Sequence, residues 1–549
     1  MNQLSLPIDQ ESLIKSKFSE SGIIIRSIDR RDYPGETIFV VQVEETDFDS
    51  AANLGNRIDK DLDELGIKGF VAVRKAESTL VSPTTRLKRG VAEPLVNKLT
   101  NLLTARSRTS EVQPSLSYIP DAANNLQLTI APRHHLIFGR RGAGKTALMV
   151  ESKRVIDKQG HQSIWINLQT LRHASAQRAY VIVCMRICEL VQAYYNQKEK
   201  APEVLVTATT LYRELEKLSF ADELEGKAER IIPLIQRLIR RFLDSIGTRL
   251  YIFIDEVHYL PIAEQPRLLD MIHGSVRECD AWLKIAGIKH LSRWYLAYPP
   301  LGLQTGHDAD IIDLDITLED PLRAKNFLEQ VVKSYVNHAG ISSLASIFSN
   351  ESLDRLLIAS GAVPRDYLVL GAQSISQAQQ REKSRLVGVQ DVNKAAGNAA
   401  KYKKNELEDD AASLEGTPQK ILSALDRVRG FCIDEKSFTF FRIDFRDKES
   451  HPTEYNLVQE LLDMRLVHII DSSLSDEREP GRRSEVYMLD LSQFSGHRLK
   501  RRLKVLDFES GHLVIKETGT ATPAKIANTP KERVGLLRRG PLFELKSLS

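Results

Sequence analysis

The octapeptide Gly139-Arg140-Arg141-Gly142-Ala143-Gly144-Lys145-Thr146 fits the phosphate-binding loop pattern at every defined position. Its glycines let the backbone wrap closely and point N–H groups at phosphate oxygens. The positive end of the following helix, into which Ala147 leads, adds to this. Lys145 offers an ammonium to the β- and γ-phosphates of a nucleotide, and the Thr146 hydroxyl can ligate Mg²⁺. About 110 residues on, Leu250-Tyr251-Ile252-Phe253-Ile254-Asp255-Glu256 is an apolar run ending in two acids. A buried strand does not end in paired carboxylates without a use for them. Asp255 is expected to hold the Mg²⁺ water shell and Glu256 to polarise an attacking water, which marks an ATP hydrolase rather than a passive nucleotide binder.

Such residues need a strand before the loop and a helix after it. His134 to Phe138 and Lys145 to Lys158 have those patterns, and a second strand from Ser163 to Leu168 completes a βαβ unit. Further strands are expected at Leu250 to Ile254, Leu283 to Ile288 and Ile311 to Ile316. A long helix over Ala228 to Ile246 carries Ile231, Ile235, Leu238, Phe242 and Ile246 at helical spacing, with Arg237, Arg240 and Arg241 elsewhere around it. The pattern is helical from Glu319 to about Lys404. An ATPase core is therefore expected over 115–318 and a helical lid over 319–404. Upstream, apolar runs and an amphipathic stretch suggest a small α/β domain over 1–76, of split-βαβ type, for a protein partner or regulation. A proline-punctuated linker with one helix, Ala92 to Ala105, follows over 77–114.

The loop, the Asp-Glu pair, the next strand and the helical region resemble AAA+ ATPases, in particular the origin-recognition and initiator-like (ORC/CDC6-like) branch. The resemblance covers roughly residues 115–400 and, less specifically, the segment after 416. It implies an α/β P-loop core with a helical lid, ATP and Mg²⁺ as ligands, and assembly into homo-oligomers on ATP binding. It also implies that Arg365, in Gly361-Ala362-Val363-Pro364-Arg365-Asp366, senses the γ-phosphate from the lid. The family's polar sensor after the Asp-Glu pair has no asparagine or threonine at the obvious place here; Lys289 or His290 stands nearest. Arg293 and Arg277 are candidates for an arginine donated to a neighbouring subunit.

After a charged linker over 405–416, residues 417–495 show helical patterns from Thr417 to Phe431 and Thr453 to Arg465. Two strands follow, Val467 to Asp471 and Glu485 to Leu489, around a turn containing Arg478, Arg482 and Arg483. Helices followed by a two-stranded ribbon resemble a winged helix, and in initiator-like ATPases such a domain binds double-stranded DNA. Arg482 and Arg483 suit phosphate contacts. Glu454, Glu460 and Asp463 on the expected recognition helix oppose them. From His497 onward the chain has twelve Lys and Arg against five Asp and Glu, read as a basic tail over 496–549.

At whole-chain scale, 549 residues at about 150 per domain imply three to four domains. With 76 basic against 73 acidic side chains, no uniformly basic surface marks nucleic acid or membrane as the partner, so any such surface is local. Four scattered cysteines fit a reducing compartment; Cys184 and Cys188, one helical turn apart, suit core packing better than metal ligation. No secretory signal or membrane span is read, so a soluble, cytoplasmic protein is expected. Two functions remain: an ATPase that switches assembly or DNA engagement, and a nucleotide-controlled signalling or defence switch whose winged helix and N-terminal domain bind proteins.

Overall fold

The computed structural model describes residues 10–33, 36–44, 47–64, 67, 69–75, 90–105, 118–120, 123–196, 203–221, 224, 226–381, 385–411, 417–477, 479, 481–495, 501–519 and 524–548. The chain divides into two compact units, 1–87 and 88–549.

The first unit contains α1 (Gln10–Glu20), β1 (Ile25–Tyr33), β2 (Glu36–Val43), α2 (Phe48–Glu64) and β3 (Gly69–Lys75). β1 and β2 form an antiparallel hairpin, and β3 adds to β2 in parallel after the α2 crossover. Alternate residues Phe39, Val41 and Val43 of β2 face Ile58 and Leu62 of α2 and Ile14 and Phe18 of α1. The expected βαβ unit is thus extended by α1 and by β1, which continues through the polar stretch Asp29–Arg31 because β2 supplies its ladder partner.

In the second unit, α3 (Pro94–Ala105) and α4 (Asn125–Ile130) precede β4 (His134–Phe138), α5 (Lys145–Lys158), β5 (Gln162–Asn167), α6 (Ala176–Tyr195), α7 (Glu203–Ser219), α8 (Ile232–Ile246) and β6 (Leu250–Asp255). Then come α9 (Gln265–Val276), β7 (Ala281–Gly287), the short hairpin β8 (Tyr295–Ala297) and β9 (Pro300–Gly302), and β10 (Ala309–Asp313). Five strands make a parallel sheet in the order β10-β4-β7-β6-β5. All six residues of β6 are buried, as a strand covered by helices on both faces requires. This is an α/β fold with a parallel sheet. The carboxyl ends of β4, β6 and β7 share one edge, the edge at which open parallel sheets bind ligands. On α8, Arg240 and Arg241 are exposed and pair with Glu278 and Glu203 at 3.1 and 3.2 Å, so the helix's basic side is partly neutralised.

Four helices follow: α10 (Pro321–Ala339), α11 (Asn350–Ser360), α12 (Pro364–Gln379) and α13 (Val389–Ala411). Two connector expectations change here. In the 77–114 segment, α3 buries Val96, Leu99 and Leu103 in the core that Val332, Tyr335 and Leu370 also build, so this helix belongs to the helical layer. In the 405–416 segment, the α13 backbone stays helical to Ala411. Residues 77–89, 106–114 and 412–416 lie outside the described residues.

The C-terminal domain contains α14 (Thr417–Arg429), β11 (Phe440–Asp444), α15 (Phe445–Ser450), α16 (Pro452–Asp463), β12 (Val467–Ser475) and β13 (Arg483–Leu489). Its antiparallel sheet runs β11-β13-β12, one strand more than expected. The expected basic tail is not a tail. It forms β14 (Lys504–Glu509), β15 (His512–Glu517), β16 (Lys525–Ala527) and α17 (Pro530–Leu537). Leu503, Leu506, Phe508, Leu513, Leu537, Phe543 and Leu545 bury their side chains in the core shared with the C-terminal sheet and the lid, and this apolar burial outweighs the segment's surplus charge. Its residues 496–500, with the first half of the basic opening run, lie outside the described residues. Cys184, Cys188 and Cys432 are buried and Cys279 is half-buried, all as free thiols. Among the described residues, no helix is long and apolar enough to cross a membrane.

Candidate functional site

The loop between β4 and α5 turns on Gly142 (φ 85°) and Gly144 (φ 101°), in the left-handed region that side chains disfavour. Gly142 also leaves room for the lid: a Cβ there would stand 2.8 Å from Arg365 Cβ and 3.0 Å from Val363 Cγ1. The Arg365 amide donates to Gly142 O at 3.3 Å, so the start of α12 rests on the loop. Lys145 is buried, and its ammonium donates to Gly139 O at 2.7 Å and Arg140 O at 3.2 Å. Burial lowers its pKa; the carboxylates of Glu256, Asp255, Asp315 and Asp463 oppose that shift. Ala143 and Ala147 lie within the loop and the first turn of α5, adding no polar side chain.

Arg140 does not turn into the loop. Its Nε lies 3.3 Å from Asp315 Oδ1, and its Nη2 donates to Ile316 O at 2.8 Å and Gly361 O at 3.4 Å, tying the end of β10 to the lid. Arg141 is half-buried, and its charge reaches His258 and His290.

At the end of β6, the Thr146 hydroxyl donates to Asp255 Oδ2 at 2.9 Å. Asp255 Oδ1 is buried and has no hydrogen-bond partner among the described residues. Burial first, then the Glu256 charge, pushes this carboxyl up to about 7. A buried carboxylate oxygen without a partner, beside a hydroxyl, fits a hard cation such as Mg²⁺. Glu256 has a left-handed backbone (φ 63°), a conformation that costs about 1–3 kcal/mol and persists where the surroundings impose it. Its Oε2 lies 3.1 Å from His258 Nε2. Burial, with Lys145 and Arg141, lowers His258 to about 2, so the ring is neutral. His258 was not singled out from sequence, although its place two residues after the Asp-Glu pair was a usable signal.

At the end of β7, Lys289 is exposed, 3.8 Å from Asp313. His290 is the member of that pair turned toward the site, where its Nδ1 lies against Asp463 Oδ2 of α16; burial, with the Arg141 charge, lowers it to about 4, so this ring too is neutral. The strand itself ends in Gly287, where a Cβ would meet Ser292 Oγ at 2.6 Å. Arg293, just past this strand, and Arg277, at the opposite edge of the sheet, are both exposed.

The C-terminal domain reaches the same place. Arg465 Nη1 donates to Asp366 Oδ1 at 2.6 Å in a buried pair, next in sequence to Arg365. A Cβ on Gly361 would stand 2.0 Å from the His468 ring. Arg482 and Arg483 are not brought to this site. They sit at the far end of the β12–β13 hairpin, where Arg482 pairs with Asp444 and Glu479, and Arg483 donates to Ser473 Oγ at 3.1 Å. Arg478 lies outside the described residues.

Residues 212–428 match the family model described as ORC-CDC6-like, a region holding β6, the Asp-Glu pair and the whole lid. No curated protein sequence matches the chain. Among solved structures, the Orc1 protein of Aeropyrum pernix in complex with DNA is similar at 13% identity and a TM-score of 0.34, over 71% of this chain and 93% of that one. Cdc6p from Pyrobaculum aerophilum follows at 14% and 0.31, over 69% and 93%. A variant of Thermotoga maritima RuvB follows at 12% and 0.29, over 52% and 74%.

Proposed function

We propose that this chain, an ORC-CDC6-like AAA+ protein, binds ATP on the 139–146 loop, hydrolyses it, and uses the change of state to switch its engagement with double-stranded DNA. The observation that carries this reading is the Thr146–Asp255 pair with its unpartnered Asp255 Oδ1, set beside a glycine loop on which the lid's Arg365 segment rests.

The loop amides and Lys145 would hold the phosphates once the ammonium leaves its own-loop carbonyls. Thr146 and Asp255 would hold Mg²⁺, which supplies positive charge beside the phosphate oxygens. Glu256, fixed by its backbone and flanked by neutral His258, would orient a water and accept its proton. Arg365 would pair with the terminal phosphate and so tie lid position to nucleotide state. Arg482 and Arg483 would contact the DNA backbone from a winged-helix domain. Self-assembly on ATP, and a protein partner for residues 1–76, complete the proposal.

A second reading, the nucleotide-controlled protein switch, draws support from the buried Arg465–Asp366 pair that holds the C-terminal domain against the lid. ATP hydrolysis by the purified chain, with and without duplex DNA, separates the two. Stimulation by DNA that Lys145→Ala lacks supports the DNA-dependent ATPase; hydrolysis indifferent to DNA shifts the weight to the switch. In either case Glu256→Gln should keep ATP binding while slowing turnover by about 10²–10⁴-fold, and equal loss of binding and turnover would count against its proposed role.

A further inference from the structure

Asp463 is the last residue of α16, in the C-terminal domain, yet its carboxylate is buried against the ATPase core. Its Oδ2 lies against His290 Nδ1, at the β7 edge where the phosphates of a nucleotide would lie; burial, with the Arg141 charge, lowers that histidine to about 4, so the neutral ring does not offset the carboxylate's charge. The charges of Arg140, Lys145 and Arg141 all reach it. Lys145 in turn feels Asp463 together with Glu256, Asp255 and Asp315, so four carboxylates act on one ammonium. Three further contacts fix the segment that carries Asp463. Arg465 is bound to Asp366 in a buried pair. His468, its Nε2 2.7 Å from Asp490 Oδ2, fills the space that a side chain on Gly361 would need. The Ser472 amide donates to Glu319 Oε1 at 2.6 Å. The carboxylate is thus held beside His290 by contacts to the same lid motif that carries Arg365.

We propose that Asp463 is a residue of this chain's own nucleotide pocket, and that its buried carboxylate makes the pocket discriminate against a nucleoside triphosphate relative to a diphosphate while the C-terminal domain is docked. The inference rests on the reading of the 139–146 loop as an ATP site. A γ-phosphate adds negative charge on the side of the loop where the Asp463 carboxylate already stands beside His290 and within the field of Lys145. Like charges in a site of restricted solvent access repel strongly, whereas a diphosphate leaves the terminal position free. Burial and Asp315 already push the Asp463 carboxyl up to about 7, so the site tolerates its charge poorly even before a ligand arrives. Triphosphate binding can therefore be relieved by neutralising Asp463 or by moving the end of α16 away. Moving it also strains the Arg465–Asp366 pair, so nucleotide state and docking of the C-terminal domain become coupled, each affecting the other by the same factor.

The test is to measure ADP and ATPγS affinities of the full chain by titration calorimetry in the presence of Mg²⁺, for wild type, Asp463→Asn, Asp463→Glu and Lys145→Ala. Asp463→Asn should tighten ATPγS by about tenfold, the effect of one removed like charge, with ADP changed less than about threefold. Asp463→Glu, which keeps the charge, should stay closer to wild type and serves as the check that any Asn effect is not a packing loss. Hydrogen exchange gives a readout independent of turnover: amides of 464–470 should exchange faster with ATPγS than with ADP in wild type, and equally with both in Asp463→Asn. An unchanged ATPγS-to-ADP ratio in Asp463→Asn, in a chain that binds both nucleotides through Lys145, overturns the proposal. Failure of wild type to bind either nucleotide would instead overturn the ATP-site reading beneath it.

Discussion

Lys145 is satisfied without a ligand by two carbonyls of its own loop, so binding phosphate exchanges hydrogen bonds rather than filling an empty donor. The loop's response to substitution therefore depends on its backbone as much as on its charge. Gly142 is the most constrained position: its φ of 85° disfavours any side chain, and an added Cβ would press on Arg365 Cβ, which cannot rotate away because it is fixed to the helix backbone. Gly142→Ala should cost roughly 1–3 kcal/mol of stability and weaken ATP binding, because relief requires the loop and the start of α12 to separate. Thermal unfolding with and without ATP checks both parts; a variant with unchanged melting and unchanged ATP shift would show that the lid does not rest on the loop in solution. Gly144, whose Cβ would meet nothing within 4 Å, provides the contrast, since only its φ of 101° opposes substitution.

Among elements, the contact between α12 and the α16–β12 corner decides how the lid and the C-terminal domain move together. Arg465 and Asp366 are both buried, and removing one partner takes a close counterion from the other. Arg465→Ala should destabilise the chain by about 3–5 kcal/mol, whereas Asp366→Leu combined with Arg465→Met should recover most of that loss, since a buried pair replaced by apolar groups of similar volume is often near neutral. Denaturant unfolding of Asp366→Leu, Arg465→Met and their double measures the coupling; additive losses would mean that the pair does not act as a unit. These partners are 99 positions apart, which explains why they were not legible in the sequence. The phosphate loop and the β6 strand end were legible because each is a local pattern with a local physical reason. The strands β14 and β15 were missed for a different reason. A count of charges over the last 53 residues averages away the apolar residues Leu503, Leu506, Phe508 and Leu513, whose burial makes the segment fold. His290 and Asp463 were each noticed, one as a sensor candidate and one as an acid unfavourable to DNA, but only the fold brings them together.

For the second unit taken whole, β12 runs from the lid motif to the hairpin tip, because its first residues lie by that motif and its last lead into the turn before Arg482 and Arg483. Nine residues of strand span roughly 26 Å, so a tilt of this domain at the nucleotide pocket shifts the hairpin tip with it. The tip is less basic than its sequence suggests, since Arg482 is paired with Asp444 and Glu479, and the same two acids would face a phosphate backbone if Arg482 let go of them. Arg483 has the simpler environment, bound to a serine hydroxyl. If the hairpin touches DNA, Arg483→Ala should weaken duplex binding uniformly across sequences and reduce the slope of log affinity against log salt by about 1. Fluorescence anisotropy of a labelled duplex over a salt series reads this directly, and an unchanged slope would place the DNA contacts elsewhere on the chain. Repeating the series with ADP and with ATPγS tests the connection along β12. A nucleotide-dependent change in DNA affinity of about 5–150-fold is the ordinary size of such coupling, and Asp463→Asn should reduce it, because that substitution removes the repulsion that lets the pocket distinguish the two nucleotides.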